Sequence, residues 1–285
     1  MKASLEKFES FRNLHHGFLV LPGACDLLSA LMLEECGFPA IATTSVGLGY
    51  PVGCPQDQAI SKEEMLQIVG NICRAVRVPV ELDFESGYSE TIKGVEASVK
   101  EVIELGVVAI RLEDSDGIPG KGMRPAEEHA DRIRAARRAA ESAGVPLFIT
   151  GRSDPFWNDD GESTESKIAE SIRRSNIYLD AGADAIFVSS KYLMPKETVA
   201  QLVAGIKGEF ATLFKPGGPT ILELKALGVH RLTAGAMLIN AQMAFLEQAL
   251  RRLHDNYDTS LIEQFQFPTK KLGDHVRAYW KNRPK

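Results

Sequence analysis

Cysteine is scarce and follows no pattern. The 285-residue chain has four, Cys25, Cys36, Cys54 and Cys73. None forms a C-x-x-C pair and none sits in a Cys/His cluster, so they read as reduced thiols of a cytoplasmic protein. The six histidines (His15, His16, His129, His230, His254, His275) show no ligand spacing and read as surface or structural residues. Positive charge is not in excess. Lys and Arg number 33 against 38 Asp and Glu, a net charge of -5. No basic face is implied, and nucleic acid is not an expected partner. An anion would have to be met by a local Arg or Lys, or through a metal. Long apolar runs are missing too. The polar, amphipathic start "MKASLEKFESFRNLHHG" has no apolar signal core, and nothing later approaches a spanning length, so no membrane partner is expected. No linker and no low-complexity segment interrupts the chain.

What is present is an ordinary globular composition, 44% hydrophobic and 25% charged, enough for a sizeable core. Eight strand-like runs recur: 18–22, 40–44, 79–83, 108–113, 146–151, 185–190, 211–215 and 230–235. Most are continuous apolar runs, as parallel strands covered by helices require. Helical patterns lie between them. "SKEEMLQIVGNICRAV" opens on Ser61 with Glu64 three residues on, a capping box. "RPAEEHADRIRAARRAAESAG" has Pro125 near its start, acids early and arginines later, matching the helix dipole. Several helices stop at Gly just before the next strand. Eight alternations predict a single α/β domain, a (β/α)8 TIM-type barrel over 1–255, with a C-terminal helical extension over 256–285. A doubly wound open sheet is the rival. Against it stand the count of eight and the absence of a Gly-rich phosphate fingerprint after the first run. The extension has apolar and aromatic residues but no barrel slot, and is expected to pack on another surface, such as a neighbouring subunit.

Barrel enzymes place their chemistry at the C-terminal ends of the strands. There the sequence collects polar groups: Thr43, Thr44 and Ser45, followed by Gly47; Asp83 and Glu85; Glu113, Asp114 and Asp116; Arg152 and Asp154; Ser189, Ser190 and Lys191; and Lys215. Asp83 and Glu85, two apart, share a face of an extended strand. With Glu113 they form a set of carboxylates that would repel one another in a partly buried mouth. A hard divalent cation such as Mg2+, or Mn2+ in its place, removes that conflict. The alternative is that they pair with Arg111 and Arg152. Arg152 suits a bidentate grip on a carboxylate or phosphoryl group; the alternative is a structural pair with Asp154 or Glu113. Ser45 and Gly47 lie in a small-residue turn whose backbone N–H groups suit an anion. Trp157, Asn158 and Tyr192 lie in loops that either shape the pocket or simply pack.

"LPGACDLLSALMLEECGFPAIATTSVGLGY", "SKEEMLQIVGNICRAVRVPVELDFESGY", "AIRLEDSDG", "PLFITGRSDPF" and "AGADAIFVSS" together resemble the isocitrate lyase/phosphoenolpyruvate mutase superfamily, in order from about residue 14 to 255. The resemblance implies the same barrel, with dimers of dimers (a homotetramer) that exchange the last helix. It implies Mg2+ at Asp83, Glu85 and Glu113, although the family usually has Asp where Glu85 stands. It further implies substrate or enolate contact by Arg152, and Ser45 and Gly47 at the α-oxyacid end. The implied reaction is cleavage beside an α-oxycarboxylate in a small 2-oxo or 2-hydroxy dicarboxylic acid.

The chain departs from its lyase members, whose K-K-C-G-H motif supplies an acid cysteine. The corresponding loop here, "SDGIPGKGMRP", has no Cys or His, and Lys121 supplies at most a charge. In the gate loop "GYPVGCPQDQAIS", Asp57 is the counterpart of the family's gate acid and Cys54 the nearby thiol. The expected activity is therefore a Mg2+-dependent lyase or decarboxylase. P–C bond chemistry of the phosphonopyruvate type, and keto-acid binding without catalysis, are the alternatives.

Overall fold

The computed structural model describes residues 2–55, 60–115, 122–158 and 161–281. Nine short strands form one all-parallel sheet: β1 (Leu19–Leu21), β2 (Gly23–Ala24), β3 (Ile41–Thr43), β4 (Val80–Asp83), β5 (Ala109–Glu113), β6 (Phe148–Ser153), β7 (Ala185–Val188), β8 (Glu209–Leu213) and β9 (Arg231–Thr233). Their order, β1-β9-β8-β7-β6-β5-β4-β3-β2, runs almost all the way round. β1 and β2 are one strand interrupted at Pro22, which has no N–H to give to a ladder. β1 pairs with β9 and β2 with β3. The Pro22 carbonyl still accepts from Ala42 N at 2.8 Å. The eight expected strands are thus present and nearly close a barrel.

Helices alternate with the strands: α1 (Lys2–Leu14), α2 (Leu27–Glu35), α3 (Ser45–Gly49), α4 (Lys62–Ala75), α5 (Ile92–Glu104), α6 (Ala126–Ala143), α7 (Thr164–Asp180), α8 (Lys196–Gly205) and α9 (Ile221–Ala226). The Ser61/Glu64 capping box starts α4, and α6 runs from Pro125 to a left-handed Gly144. The turn expected at Ser45 is the short helix α3, with Thr44 in extended conformation before it. The chain divides into two compact units, Met1–Ala234 and Gly235–Lys285. The second consists of α10 (Met237–Asn256), α11 (Ser260–Gln264) and α12 (Thr269–Lys281). The sequence places the boundary after 255; in the structure α10 groups with the two helices that follow it. Among the described residues no helix is long and apolar enough to cross a membrane.

Alternation along each strand makes two different cores. One set of side chains, Val80, Leu82, Ile110, Leu112, Ile149, Ile186 and Val188 among them, faces the helix layer. The other lines the barrel, and only its lower part is apolar, where Phe8 and Phe11 of α1 join Leu19, Leu21, Ala109, Phe148 and Ala185. Above this floor the lining is charged. Arg231 Nη1 donates to Glu81 Oε1 at 2.8 Å, and Thr150 Oγ1 donates to the same oxygen at 2.9 Å. Arg111 Nη1 lies 3.5 Å from Glu81 Oε2, and Arg111 stacks over the Phe187 ring at 4.8 Å. His15 Nε2 closes the series 3.2 Å from Arg231 Nη1. Buried charges persist only when paired, and each acid here meets a guanidinium.

Candidate active site

The mouth begins one step above that ladder. Asp83, last residue of β4, points into the barrel. Its Oδ2 lies 3.0 Å from Arg111 Nη2 and accepts from Ser45 N at 3.1 Å. Its own N–H donates to Thr43 Oγ1 at 3.0 Å. Burial pushes the Asp83 carboxyl up, but Arg111 and Arg152, with these hydrogen bonds, outweigh it and hold the group below its ordinary range. Ser45 therefore reaches the site through its backbone amide. Gly47 is buried, and a Cβ there would come within 2.7 Å of both Cys25 Sγ and Thr44 Cγ2. Close packing is a sufficient reason for glycine at that position.

Beyond Asp83 the chain turns sharply. Glu85 and Tyr88 both adopt left-handed backbone, at φ 48° and 53°. Each such non-glycine residue costs on the order of 1–2 kcal/mol and survives only where its surroundings enforce it. Three contacts do so. Glu113 N donates to the Glu85 carbonyl at 2.9 Å, and Tyr88 OH donates to Glu85 Oε1 at 2.7 Å. From α6, the fully buried Arg132 donates to the carbonyls of Ser86 (2.9 Å), Ser89 (2.7 Å) and Glu90 (3.1 Å). The turn after the strand is thus gripped from behind by one guanidinium.

Glu113 and Arg152 are direct neighbours across the β5–β6 ladder. Arg152 pairs with Glu113 through Nη1 and with Asp154 Oδ1 through Nε, the latter at 2.7 Å, while its guanidinium lies 5.4 Å from the Trp157 ring centre. Asp154 also accepts from Ser115 Oγ at 2.7 Å. Burial raises the Glu113 carboxyl well above its ordinary range. Arg152 opposes this, but the like charges of Asp154, Asp83 and Glu85 reinforce it. Asp114 faces the other way, into the helix layer. It accepts from Asp154 N (3.0 Å), Tyr178 OH (2.6 Å) and Arg174 Nη1 (3.1 Å). Burial and Asp154 push it up to about 7. Through these bonds α7 fixes the ends of β5 and β6 against each other.

The structure therefore gathers Ser45, Asp83, Glu85, Glu113 and Arg152 at one end of the barrel. Asp57 and Lys121 lie outside the described residues. Cys54 is partly exposed, its N–H bound to the Gly49 carbonyl at 3.0 Å. Among the described residues no three of the acids, cysteines and histidines are grouped as a cation site. Asp83 and Glu113 are closed onto arginines instead. The donor chemistry nonetheless fits a hard divalent ion. Among the described residues, the carboxylates of Asp83, Glu85, Glu113 and Asp154 gather at this end with the guanidinium groups of Arg111 and Arg152. All the ligand atoms on offer are carboxylate oxygens.

The sequence reading named Arg111 only as the alternative partner of the acids and Asp114 only among the polar groups of the rim, and it did not single out Tyr88, Arg132, Arg174 or Tyr178. One signal was available for Arg111. It stands two residues before Glu113, as Glu81 stands before Asp83, so a strand period of two places both inside the barrel. No comparable signal marks Arg132 or Arg174, each one of several arginines on its helix.

Comparison with known proteins identifies the family. The family model described as phosphoenolpyruvate phosphomutase matches residues 11–254. The chain is 28% identical over 255 residues to the chloroplastic carboxyvinyl-carboxyphosphonate phosphorylmutase of Arabidopsis thaliana, covering 85% of this chain and 73% of that one. It is 29% identical over 223 residues to the 2,3-dimethylmalate lyase of Eubacterium barkeri, covering 74% and 73%. The crystal structure of phosphoenolpyruvate phosphomutase from Streptomyces platensis subsp. rosaceus shares the fold, with TM-score 0.82 at 22% identity, covering 96% of this chain and 97% of that one. The protein is a member of the phosphoenolpyruvate phosphomutase family, within the isocitrate lyase/phosphoenolpyruvate mutase superfamily.

Proposed function

We propose that this chain is a Mg2+-dependent lyase or decarboxylase that cleaves a C–C bond beside the α-oxycarboxylate of a small 2-oxo or 2-hydroxy dicarboxylic acid. The observation that carries the reading is Arg152, a buried guanidinium held by Asp154 and Glu113 at the mouth, beside Asp83 and Glu85. Asp83, Glu85 and Glu113 are the residues that would hold Mg2+, or Mn2+ in its place. Such an ion supplies Lewis-acid stabilisation of an enolate oxygen.

The chain's own groups do the rest. Arg152 binds the substrate carboxylate and offsets negative charge as the bond breaks. Asp154 and Ser115 keep its guanidinium in place, and Trp157 covers one side of it. The short helix α3, with Ser45 and Gly47, receives the α-oxyacid end. Decarboxylation of a β-keto acid releases CO2 and leaves an enolate, so the bond breaks without an acid cysteine. Lys121 and Asp57 are the groups proposed to meet the leaving end. We further infer a cytoplasmic homo-oligomer, a dimer of dimers, from the free thiols and from the exposed Met243, Leu246 and Leu250 on α10.

The test is NMR-monitored turnover of oxaloacetate, isocitrate, 2-methylisocitrate, 2,3-dimethylmalate and phosphonopyruvate, with and without Mg2+. A Mg2+-dependent C–C product that vanishes in Asp83→Asn is expected. Conversion of phosphonopyruvate alone, followed by phosphorus NMR, would replace this reading with P–C bond chemistry of the phosphonopyruvate type. Full activity in Asp83→Asn would sink the metal assignment. Binding of keto acids with no turnover of any substrate would favour a barrel that binds without catalysing.

A further inference from the structure

Arg111 closes both oxygens of Asp83. Its Nε donates to Oδ1 at 3.3 Å, and its Nη2 lies 3.0 Å from Oδ2. Such a fork occupies the lone pairs that a metal ion would use, and a second cation beside it meets like-charge repulsion. Arg152 is placed differently. It can release Glu113 and still keep Asp154, which its Nε already holds at 2.7 Å. Arg111 can release Asp83 only by moving to another acid, because it is buried and water does not take an acid's place there.

The barrel supplies that acid one step below. Glu81 precedes Asp83 by two on β4, so both face the interior. Its Oε1 accepts from Arg231 and Thr150, whereas its Oε2 is buried and, among the described residues, accepts no hydrogen bond. Arg111 Nη1 is likewise buried with no acceptor, and these two atoms lie 3.5 Å apart. That is roughly 0.6 Å beyond the upper end of a charge-assisted hydrogen bond. Buried polar atoms without partners are rare and call for an explanation. The Phe187 ring, 4.8 Å from the guanidinium, attracts the cation without directing its N–H groups to one acid or the other.

We propose that Arg111 is a positioning residue that exchanges acids. It covers Asp83 when no divalent cation is bound and turns onto Glu81 Oε2 when one binds. Glu81 thereby sets how readily Asp83 is released, although it is not itself a ligand. The inference rests on Asp83 as a cation ligand, and adds to it a role for the buried acid below the mouth.

The test does not depend on turnover. Crystal structures of the full chain grown with and without Mn2+ show the exchange directly, the ion being located by its anomalous scattering. With Mn2+ at Asp83, the Arg111–Glu81 contact is expected to shorten to about 2.9 Å while both Arg111–Asp83 contacts open. Mn2+ affinity, followed by electron paramagnetic resonance, gives a second readout. Glu81→Gln keeps the shape and removes the receiving charge, so it should weaken Mn2+ binding about tenfold or more at unchanged stoichiometry. If Glu81→Gln does not fold, the wild-type pair of crystal structures decides alone. Mn2+ bound with Arg111 still forked on Asp83, or unchanged affinity in a folded Glu81→Gln, overturns the proposal and leaves the cation site standing. A wild type that binds no Mn2+ at Asp83 overturns both.

Discussion

Arg132→Met removes the guanidinium behind the Glu85 turn and keeps much of its volume. Three charge-assisted hydrogen bonds are lost, to Ser86, Ser89 and Glu90. Each is worth about 1.5–3 kcal/mol. They do not count equally. Ser86 is buried, so water does not replace the arginine at its carbonyl, whereas Ser89 and Glu90 are open enough for water to do so. Part of the loss is returned, because Glu85 and Tyr88 are free to leave their left-handed conformations. The balance is about 2–4 kcal/mol of destabilisation, or a Tm lowered by roughly 5–15 °C for a domain of this size. Differential scanning calorimetry measures the first quantity. Hydrogen exchange of the amides of residues 85–90 measures the second, and faster exchange is expected there than in the β6 and β7 amides. A loss below about 1 kcal/mol with unchanged protection of that turn would refute the reasoning, and would mean that Tyr88 and the Glu113 amide suffice to hold it.

Arg111→Met should cost about 3–5 kcal/mol, because Glu81 and Asp83 would then share one fewer buried cation. Urea denaturation checks it, and a loss under about 1 kcal/mol would show that the ladder tolerates the gap. His129 is buried against Tyr178, and burial, with Arg132 and Arg174 nearby, pushes it down to about 3 from 6.5. Its folded value lies below its unfolded value. Its contribution to stability is therefore complete above about 6.5 and is lost as pH falls toward 3. His129→Gln should flatten the acid limb of stability against pH. Denaturation midpoints at pH 7 and pH 5 that fall equally in both proteins would contradict this.

The strands were legible because parallel strands buried on both sides read as apolar runs, "AIFVSS" being the clearest. Glu113 and Arg152 were legible because they end such runs, where a barrel opens. The expectation that the rim acids would gather as a cation cradle stood against their pairing with Arg111 and Arg152. In the structure Arg111 holds Asp83 and Arg152 holds Glu113, the alternative that residue type alone had left open. The conformation of Glu85 could not be read, because glutamate carries no turn preference and the contacts that hold its turn include those of Arg132, 47 positions away in the chain. The grouping of α10 with the C-terminal helices was likewise hidden, since an amphipathic pattern shows that a helix has an apolar face but not what that face meets.

The measurement that tests the account most directly is Mn2+ binding followed by electron paramagnetic resonance, on the wild type and on Asp83→Asn. The carboxylates of Asp83, Glu85 and Glu113 at one end of the barrel predict one Mn2+ per chain in the wild type, displaced by Mg2+ and lost or greatly weakened in the variant. No Mn2+ bound by a folded wild type, or equal binding in both proteins, would contradict a divalent cation at the ends of β4 and β5.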